Sequence, residues 1–454
     1  MLIRFNVGNY LSFREVQEFS MIAGKVRNKT EHIYADRSLK LLKFASIFGA
    51  NASGKSNFVK AMEFAREVIL YGTKRRCNNC YFKLDESFES KPSYFEFEIL
   101  VNNKYYSYGF EILLKENVFT SEWLIELLTN GEEKVLFKRD ITKNTFDSSL
   151  TINNKNLRKK FEVYSDDIKA NKSTLFLYEI NRNKNELYKS KNDLLIFNEV
   201  FRWFETTLDI NHPYNTITDF SYFIETEKSQ VSEIIKAFGT GITEFNVIDL
   251  SIDEIRDKIP SQILEDVENR INDILSDSKN EEKAIKGAIT LKSPDDFFII
   301  NFEKNKEIQV TTIDFEHERK GKTFNVSEES DGTKRILELI QILLSKEGSV
   351  YVVDEIDRSL HPQLTFKFVE AFLRIAEKKN VQLVITTHES RLLDFGLLRQ
   401  DEIWLMNKNK DGESQLYSLD EYNVRFDQKV DKAYLEGRYG GVPIFSTIFP
   451  IKED

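Results

Sequence analysis

The stretch Gly49-Ala-Asn-Ala-Ser-Gly-Lys-Ser56 decides the fold, because it matches the phosphate-binding pattern G-x-x-x-x-G-K-[ST] at every fixed position. Residues 41–48 before it form an apolar run that predicts a buried strand, and residues 57–69 after it place apolar side chains at helical spacing. A strand, a loop and a helix in this order are the context in which the pattern binds phosphate. A glycine-rich turn without function is the weaker interpretation.

The chemistry of this loop follows from its backbone and from two side chains. Glycines let successive N–H groups curl around a phosphate, and the N-terminus of the following helix adds its dipole. Lys55 is expected to reach the β- and γ-phosphates, and Ser56 is expected to hold Mg²⁺. The predicted nucleotide-binding residues are Gly49, Asn51, Gly54, Lys55, Ser56 and Asn57.

Length and composition indicate a soluble globular protein with more than one domain. The chain has 454 residues, of which 41% are hydrophobic and 30% are charged. It contains no apolar run of about 18 residues and no signal-peptide layout at its start, so we expect a cytoplasmic protein without a membrane segment. The net charge of -10 does not support nucleic-acid binding, although net charge does not test for a local basic groove.

The two cysteines, Cys77 and Cys80, have a C-x-x-C spacing that fits half of a zinc site or a redox pair. No second cysteine pair and no pair of closely spaced histidines follows them. Two ordinary reduced thiols are therefore the favoured interpretation, and a zinc ion shared across a dimer is the alternative.

Three regions of the chain differ in their residue patterns. Residues 1–139 contain the phosphate loop and a block of alternating apolar and polar residues, which predicts an antiparallel β subdomain. Residues 140–290 are rich in Lys, Asn, Glu and Asp, and apolar residues recur at helical spacing at 194–208, so we expect a mainly helical insertion. Residues 291–454 return to strands and hold the remaining motifs.

Two apolar strands in the third region end in residues that can do chemistry. The run Val350-Tyr-Val-Val-Asp-Glu355 ends in paired carboxylates, which a buried strand does not need for stability. In phosphoryl transfer Asp354 would hold Mg²⁺ and Glu355 would polarise the attacking water. Residues 381–387 lead to His388, which alone is more often structural but can contact the γ-phosphate if it lies at the same sheet edge.

A further motif, Ser330-Asp-Gly-Thr333, precedes a predicted helix at 334–344. A serine, a glycine and open N–H groups at a helix N-terminus can form a second anion site. Alone, the motif would indicate only a helix cap.

These pieces, in this order, resemble the ATP-binding-cassette ATPases. The loop at 49–56 corresponds to Walker A, 350–355 to Walker B and His388 to the switch histidine, while Ser330, Gly332 and Thr333 correspond to the signature loop. Asp331 and Thr333 stand where transporters have glycine and glutamine, which is similar to the branch that contains chromosome-maintenance and break-repair ATPases. The segment Asn9-Tyr-Leu-Ser-Phe13 is also similar to the start of that branch.

Three segments resemble more closely the AAA15/AAA21 ATPases of bacterial phage-defence loci, such as the AbiL and RloA families and the ATPase of PARIS systems. They are Glu329-Ser-Asp-Gly-Thr-Lys-Arg335, Asp354-Glu-Ile-Asp-Arg-Ser-Leu-His-Pro362 and Lys432-Ala-Tyr-Leu-Glu-Gly-Arg-Tyr-Gly-Gly-Val-Pro443. The resemblance implies an α/β fold, namely an ABC-ATPase head with a mixed sheet around a P-loop core, beside the antiparallel β subdomain and the helical insertion.

The resemblance also implies a function. In this family two heads associate, so that the signature residues of one act in trans on ATP bound by the other. The implied protein is an Mg²⁺-dependent ATP hydrolase with Glu355 and His388 as catalytic residues, and it controls a partner effector such as a Toprim-type nuclease. A DNA-repair or chromosome-associated ATPase acting directly on DNA is the alternative. No residue is assigned to the glutamine-loop position.

Overall fold

The computed structural model describes residues 1–35, 39–73, 77–182, 184–188, 192–212, 222–256, 259, 264–265, 267–268, 271, 286–292, 297–303, 308–318, 321–422 and 430–441. These residues form a mixed α/β protein with several sheets, as predicted. The chain divides into two units. The first comprises Met1–His212, Lys346–Ile356 and Leu373–Asp454, and the second comprises Pro213–Ser345 and Asp357–Phe372. Among the described residues, no helix has both the length and the apolar character that a membrane crossing requires.

The strands and helices have the following bounds. The strands are β1 (Leu2–Gly8), β2 (Gln17–Ser20), β3 (Ile33–Ala35), β4 (Lys40–Leu42), β5 (Phe44–Gly49), β6 (Ser93–Val101), β7 (Lys104–Leu113), β8 (Val118–Leu127), β9 (Glu133–Asp140), β10 (Thr145–Asp147), β11 (Leu208–Asn211), β12 (Ile242–Leu250), β13 (Lys286–Lys292), β14 (Phe297–Glu303), β15 (Gln309–His317), β16 (Thr323–Asn325), β17 (Val350–Val353), β18 (Gln382–Thr387), β19 (Ile403–Lys408) and β20 (Ser414–Ser418). The α-helices are α1 (Lys55–Tyr71), α2 (Lys155–Ile168), α3 (Phe176–Asn181), α4 (Leu195–Arg202), α5 (Tyr222–Glu225), α6 (Lys228–Ala237), α7 (Ile252–Arg256), α8 (Asp331–Leu343), α9 (Pro362–Lys378) and α10 (Val430–Leu435).

A seven-stranded antiparallel sheet, in the order β10-β9-β8-β7-β6-β1-β2, forms one layer of the first unit. Its strands alternate buried and more exposed residues, because one face packs on the core. The turn between β6 and β7 uses Asn102 and Asn103 with φ of 48° and 61°, which asparagine tolerates better than most residues. The antiparallel β subdomain expected from the sequence is therefore present.

A six-stranded sheet, in the order β11-β17-β18-β5-β19-β20, forms the second layer of this unit. Its first five strands are parallel, and β20 is antiparallel to β19. β5 and β18 are buried along their whole length, which explains their unbroken apolar character. The apolar run at 41–48 lies in two strands, β4 and β5, because the strand conformation is interrupted at Lys43. The Nζ of Lys43 donates to the carbonyl oxygen of Ala376.

Helix α1 joins the two large sheets of the first unit through one apolar cluster. Phe58 on α1 packs edge-on against Phe5 and Phe19, with ring centroids 5.6 and 5.2 Å apart. The same cluster contains Ala45 and Ile47 of β5. This packing fixes the start of α1, and with it the phosphate loop, against both layers.

The stretch predicted as a mainly helical insertion contains helices α2 to α7, but it also contains strands β10 to β12 and the start of β13. The helical pattern expected at 194–208 is present, because α4 ends at Arg202 and continues directly into a π-helix at Trp203–Thr207. Leu208 then begins β11, a parallel strand beside β17 that buries Leu208 and Ile210. The boundaries at 139/140 and 290/291 stay a prediction.

The second unit is built on a five-stranded antiparallel sheet in the order β12-β15-β14-β13, with β16 paired to β15. Helix α8 presents a buried stripe that includes Ile336, Leu337 and Ile340. The hydroxyl of Tyr222 donates to the carbonyl oxygen of Leu337 at 2.7 Å, which ties α5 to α8.

Cys77 and Cys80 form a disulfide, whereas the sequence favoured two reduced thiols. A turn places the N–H of Cys80 3.0 Å from the carbonyl oxygen of Cys77, and it brings the two Cα atoms to 5.4 Å, a separation that a disulfide can span. Within the described ranges, no group of three or more His, Cys, Asp or Glu side chains could hold a metal ion. The prediction of reduced thiols is wrong for this structure.

Candidate nucleotide-binding site

The carboxyl ends of neighbouring parallel strands meet at one edge of the six-stranded sheet. Thr387 at the end of β18 pairs with Phe48 of β5, and Val353 at the end of β17 pairs with Ile385 of β18. The phosphate loop, the carboxylate pair and His388 follow directly after these three strands. This edge is where ligands bind in open parallel sheets, so residues from three separate sequence motifs are brought together there.

Two glycines of the phosphate loop occupy positions where a side chain would not fit. A Cβ on Gly49 would lie 2.5 Å from the carbonyl oxygen of Met406 on the adjacent strand. Gly54 has a φ of 117°, and a Cβ there would overlap Ser414 Oγ. Glycine is therefore required at both ends of the loop for steric reasons as well as for phosphate approach.

Lys55, the first residue of α1, folds back over the phosphate loop. Its Nζ donates to the carbonyl oxygens of Gly49 and Ala50 at 2.6 and 3.1 Å, and the residue is only 5% exposed. The ammonium group therefore lies against the backbone of the phosphate loop, next to the first turn of α1. A phosphate entering the loop would offer it stronger, charged acceptors than these carbonyls.

Ser12, the serine of the Asn9-Tyr-Leu-Ser-Phe13 segment, is hydrogen-bonded to residues that contact or follow the phosphate loop. Ser12 Oγ accepts from the Asn57 side-chain amide at 2.8 Å and lies 2.7 Å from Ser414 Oγ. Ser414 Oγ donates to the carbonyl oxygen of Ser53 at 2.6 Å. Asn57, predicted to bind nucleotide, is therefore engaged with Ser12, while Asn51 lies exposed in the loop.

Asn9 of the same segment fixes the chain around it. Its side-chain amide donates to the carbonyl oxygens of Phe88 and Lys91 at 2.9 and 2.8 Å, and its Oδ1 accepts from the N–H of Phe82 at 3.0 Å. Asn9 itself has a φ of 48°. The resemblance of this segment to related ATPases thus corresponds to a structural role for Asn9 and a loop-supporting role for Ser12.

Asp354 lies beside Ser56, whose hydroxyl helps to lower the pKa of that carboxyl, so the carboxylate after β17 is close to the last residue of the phosphate pattern. Thr386 Oγ1 donates to Asp354 Oδ1 at 2.6 Å. Burial alone would raise the pKa of Asp354, but the polar groups of His212, Thr386 and Ser56 outweigh burial and hold the pKa below its usual value. Asp354 is therefore an ionised carboxylate beside a hydroxyl.

This pair of oxygen ligands fits Mg²⁺. The ion prefers octahedral oxygen coordination and commonly takes only one or two protein ligands, with water and substrate phosphates completing its shell. One hydroxyl and one ionised carboxylate at the mouth of a phosphate loop meet that requirement. Ser56 and Asp354 are the residues that would hold it.

Glu355 has a strained backbone, with a φ of 46° that is uncommon for a residue other than glycine. Its N–H lies 2.8 Å from Thr386 Oγ1, the same hydroxyl that donates to Asp354. Thr386 therefore fixes both residues of the carboxylate pair. His388, two residues after Thr386, is exposed at the same edge of the sheet.

His212 is a residue of this site that the sequence analysis missed. It follows β11, the strand beside β17, and its Nδ1 lies 3.6 Å from Asp354 Oδ2. Its Nε2 lies 3.3 Å from Glu63 Oε2 on α1. Burial lowers the pKa of His212, but Asp354 and Glu63 outweigh it and raise the pKa to about 9. The signal available in the sequence was a strand-like segment, Leu208-Asp-Ile-Asn211, followed directly by a histidine.

The pKa of His212 predicts a pH effect on the protein in EDTA without nucleotide. Because the folded pKa of about 9 lies above the usual 6.5, the imidazolium contributes stability that is complete below pH 6.5 and is lost as the pH rises through 9. Allowing for partial solvent screening, the stability advantage of the wild type over His212→Gln should shrink by about 1–2 kcal/mol between about pH 7 and about pH 10. Urea unfolding at both pH values measures it, and a constant difference would contradict the prediction.

The predicted signature residues lie in the second unit, at the start of α8. Ser330 caps this helix, since its Oγ accepts from the N–H of Thr333 at 3.1 Å, and the two hydroxyls lie 2.9 Å apart. A Cβ on Gly332 would lie 2.9 Å from the carbonyl oxygen of Ser359, so glycine is needed there as well. The helix cap predicted from the sequence is present, and a role in trans stays a prediction.

The fold and the site define a P-loop nucleotide-binding protein with an AAA-type ATPase domain. The chain belongs to the AAA_21 family, whose sequence profile, described as "AAA domain, putative AbiEii toxin, Type IV TA system", matches residues 44–394. The match includes the phosphate loop, the signature residues, the carboxylate pair and His388. None of the curated proteins matches the chain.

Solved structures of Smc head domains overlap with the chain at low sequence identity. The Smc head bound to the C-winged helix domain of ScpA is 13% identical, with a TM-score of 0.43 over 92% of this chain and 97% of that one. The SMC head domain from Thermotoga maritima is 12% identical, with a TM-score of 0.35 over 92% and 98%. A Smc head with an extended coiled coil, bound to the C-terminal domain of ScpA from Pyrococcus furiosus, is 16% identical, with a TM-score of 0.36 over 92% and 97%. At TM-scores this low, the overlaps support no further statement about this chain.

Proposed function

We propose that this chain is an Mg²⁺-dependent ATP hydrolase that acts as an ATP-driven switch in defence against phage. The observation that carries the proposal is the position of Asp354 beside Ser56, which brings the carboxylate pair to the phosphate loop. Membership of an AAA family supports ATP as the nucleotide. Together these features supply a phosphate cradle, a metal position and a base within one sheet edge.

In this mechanism the backbone N–H groups of the loop and the N-terminus of α1 bind the phosphates. Lys55 leaves the carbonyl oxygens of Gly49 and Ala50 and donates to the β- and γ-phosphate oxygens. Mg²⁺, when bound, neutralises phosphate charge in the transition state. Glu355 accepts the proton of the attacking water, and His388 orients the γ-phosphate or that water through a hydrogen bond.

The switch is proposed to work through association of at least two copies. In the ATPases that this chain resembles, the signature loop of one head faces the phosphate loop of another. Ser330, Gly332 and Thr333 lie at the N-terminus of α8. The backbone N–H groups and the dipole of this helix would attract the γ-phosphate of ATP bound by a second copy. ATP would then stabilise the associated state, and hydrolysis would release it.

The output of the switch is proposed to be control of a partner effector, such as the Toprim-type nuclease of related two-gene systems. The family description, which names a toxin and a toxin–antitoxin system, supports a role in defence. The proposal groups the chain with the AbiL, RloA and PARIS ATPases, which its sequence motifs resemble. A DNA-repair ATPase acting directly on DNA would instead show ATP-dependent DNA binding by the purified protein, which a filter-binding assay with duplex DNA would detect.

The phosphate cradle is tested by Lys55→Ala. We expect the affinity for ATP with Mg²⁺ to fall by about 10- to 100-fold, because a charge-assisted contact to two phosphates is lost. Isothermal titration calorimetry measures the affinity directly. Lys60→Ala is the matched control, since Lys60 is an exposed lysine on the same helix, and it should bind ATP as the wild type does. Equal affinities in Lys55→Ala and the wild type would overturn the proposed cradle.

A further inference from the structure

The C-terminal segment, defined here as residues 430–441, packs against the base of the phosphate loop. It consists of α10 followed by a turn in which Gly437, Gly440 and Gly441 have φ of 77°, 71° and 72°. A Cβ on Gly441 would lie 3.7 Å from the Cα of Gly49 and 3.5 Å from the carbonyl oxygen of Met406. The turn therefore reaches the first glycine of the phosphate pattern.

Tyr434 on α10 holds this turn in place. Its hydroxyl donates to the carbonyl oxygen of Gly441 at 2.9 Å, and the residue is only 6% exposed. Its ring also packs edge-on against Phe48, with centroids 6.2 Å apart. Phe48 immediately precedes Gly49, so Tyr434 contacts both the strand that leads into the phosphate loop and the turn that lies against Gly49.

Three backbone segments come close together at this point. The carbonyl oxygen of Met406 lies close both to Gly49, where a Cβ would stand 2.5 Å away, and to Gly441, where a Cβ would stand 3.5 Å away. Close-packed interiors transmit displacement, because they have little free volume to absorb it. A shift of Gly441 would therefore displace Gly49 or the end of β19.

Helix α10 also packs against a segment close to a second part of the nucleotide site. This segment is the short turn Ser390–Leu392, which begins two residues after His388. The C-terminal segment thus lies next to Gly49 at the end of β5 and close to His388, which follows β18. Both residues are expected to respond to a bound γ-phosphate.

We propose that Tyr434 is a positioning residue of the nucleotide site, which acts through Gly441 on Gly49, and that the C-terminal segment and the nucleotide stabilise each other. This inference rests on the proposed function, since it requires that the loop binds ATP. Coupling of this kind is reciprocal: the ordered segment raises the affinity for ATP, and bound ATP raises the order of the segment by the same factor. The segment is then a direct reporter of nucleotide state at the end of the described chain.

The coupling is tested with two variants that each remove one tyrosine hydroxyl, one inside the C-terminal segment and one outside it. Tyr434→Phe loses the hydrogen bond to Gly441, whereas Tyr188→Phe loses the hydrogen bond from Tyr188 to the carbonyl oxygen of Ile180, which is 3.1 Å long. Titration with the fluorescent analogue mant-ATP and Mg²⁺ measures the affinity. We expect about a fivefold weaker affinity for Tyr434→Phe and an unchanged affinity for Tyr188→Phe.

A reciprocal measurement uses the wild-type protein alone. Amide hydrogen exchange in residues 430–441 should slow by about fivefold when ATP and Mg²⁺ are added. Equal affinities of Tyr434→Phe and the wild type, or equal losses in the two tyrosine variants, would overturn the inference, and so would exchange that ATP leaves unchanged. A wild-type protein that binds no ATP would contradict the proposed function itself, so the two failures are distinguishable.

Discussion

Replacing Glu355 by glutamine is expected to lower the rate of ATP hydrolysis by about 10²- to 10⁴-fold while the affinity for ATP stays unchanged. Glutamine has nearly the same size, and the contact to Thr386 Oγ1 is made by the backbone N–H of residue 355, so the geometry of the site is kept. The amide cannot accept a proton from the attacking water. Bound ATP should therefore persist, and with it the associated state of the protein.

Phosphate release under excess ATP and Mg²⁺ measures this effect, and sedimentation velocity measures the association. Glu389→Gln is the matched control, because Glu389 follows His388 at the same sheet edge and its carboxylate accepts from the N–H of Arg391 at 3.0 Å. This variant should hydrolyse ATP within about twofold of the wild-type rate. Wild-type turnover by Glu355→Gln would remove Glu355 from the mechanism.

The largest effect on stability is expected from Glu122→Ala in the seven-stranded sheet. Glu122 on β8 and Arg139 on β9 form an ion pair of 3.3 Å in which both side chains are 0% exposed. The carboxylate also accepts from Tyr108 Oη at 3.0 Å and from the N–H groups of Phe176 and Leu177 at 2.6 and 3.0 Å. Burial raises the pKa of Glu122, and Arg139 and these donors oppose that effect.

Removing this carboxylate leaves the charge of Arg139 buried without its counter-ion and leaves the first turn of α3 without an acceptor. We expect the free energy of unfolding to fall by about 3–5 kcal/mol. Asp140→Ala is the control, because Asp140 lies on β9 beside Arg139 but forms an ion pair with Lys143, whose side chain is 76% exposed. This variant should lower the free energy of unfolding by only about 0–1 kcal/mol. Urea unfolding followed by tryptophan fluorescence measures both, because Trp123, Trp203 and Trp404 all lie in the first unit. Equal losses in the two variants would contradict the prediction.

The parts of the site that could be predicted are those that local sequence encodes. The phosphate pattern fixes Gly49, Gly54, Lys55 and Ser56 within one loop, and an apolar strand that ends in two carboxylates is unusual enough to mark Asp354. Burial of parallel strands on both faces makes them apolar runs, which also makes them recognisable. The shared sheet edge then follows, since the residues after neighbouring parallel strands meet there.

The parts that could not be predicted depend on pairing between distant residues. His212 follows a four-residue strand that continues a helical apolar pattern, and only its position beside β17 shows that it meets Asp354. The role of Tyr434 likewise depends on a contact with Phe48 across most of the chain. The Cys77–Cys80 disulfide depends on the local turn geometry, because a C-x-x-C spacing is equally compatible with free thiols.

The two large sheets of the first unit both end in short strands. The seven-stranded sheet ends in β10 and β2, of 3 and 4 residues, and the six-stranded sheet ends in β11 and β20, of 4 and 5 residues. A strand edge recruits other chains through its open N–H and C=O groups, so a short edge offers few of them. Short edges of this kind oppose irreversible fibre growth, so the association around ATP that we propose can be reversed once the nucleotide is hydrolysed.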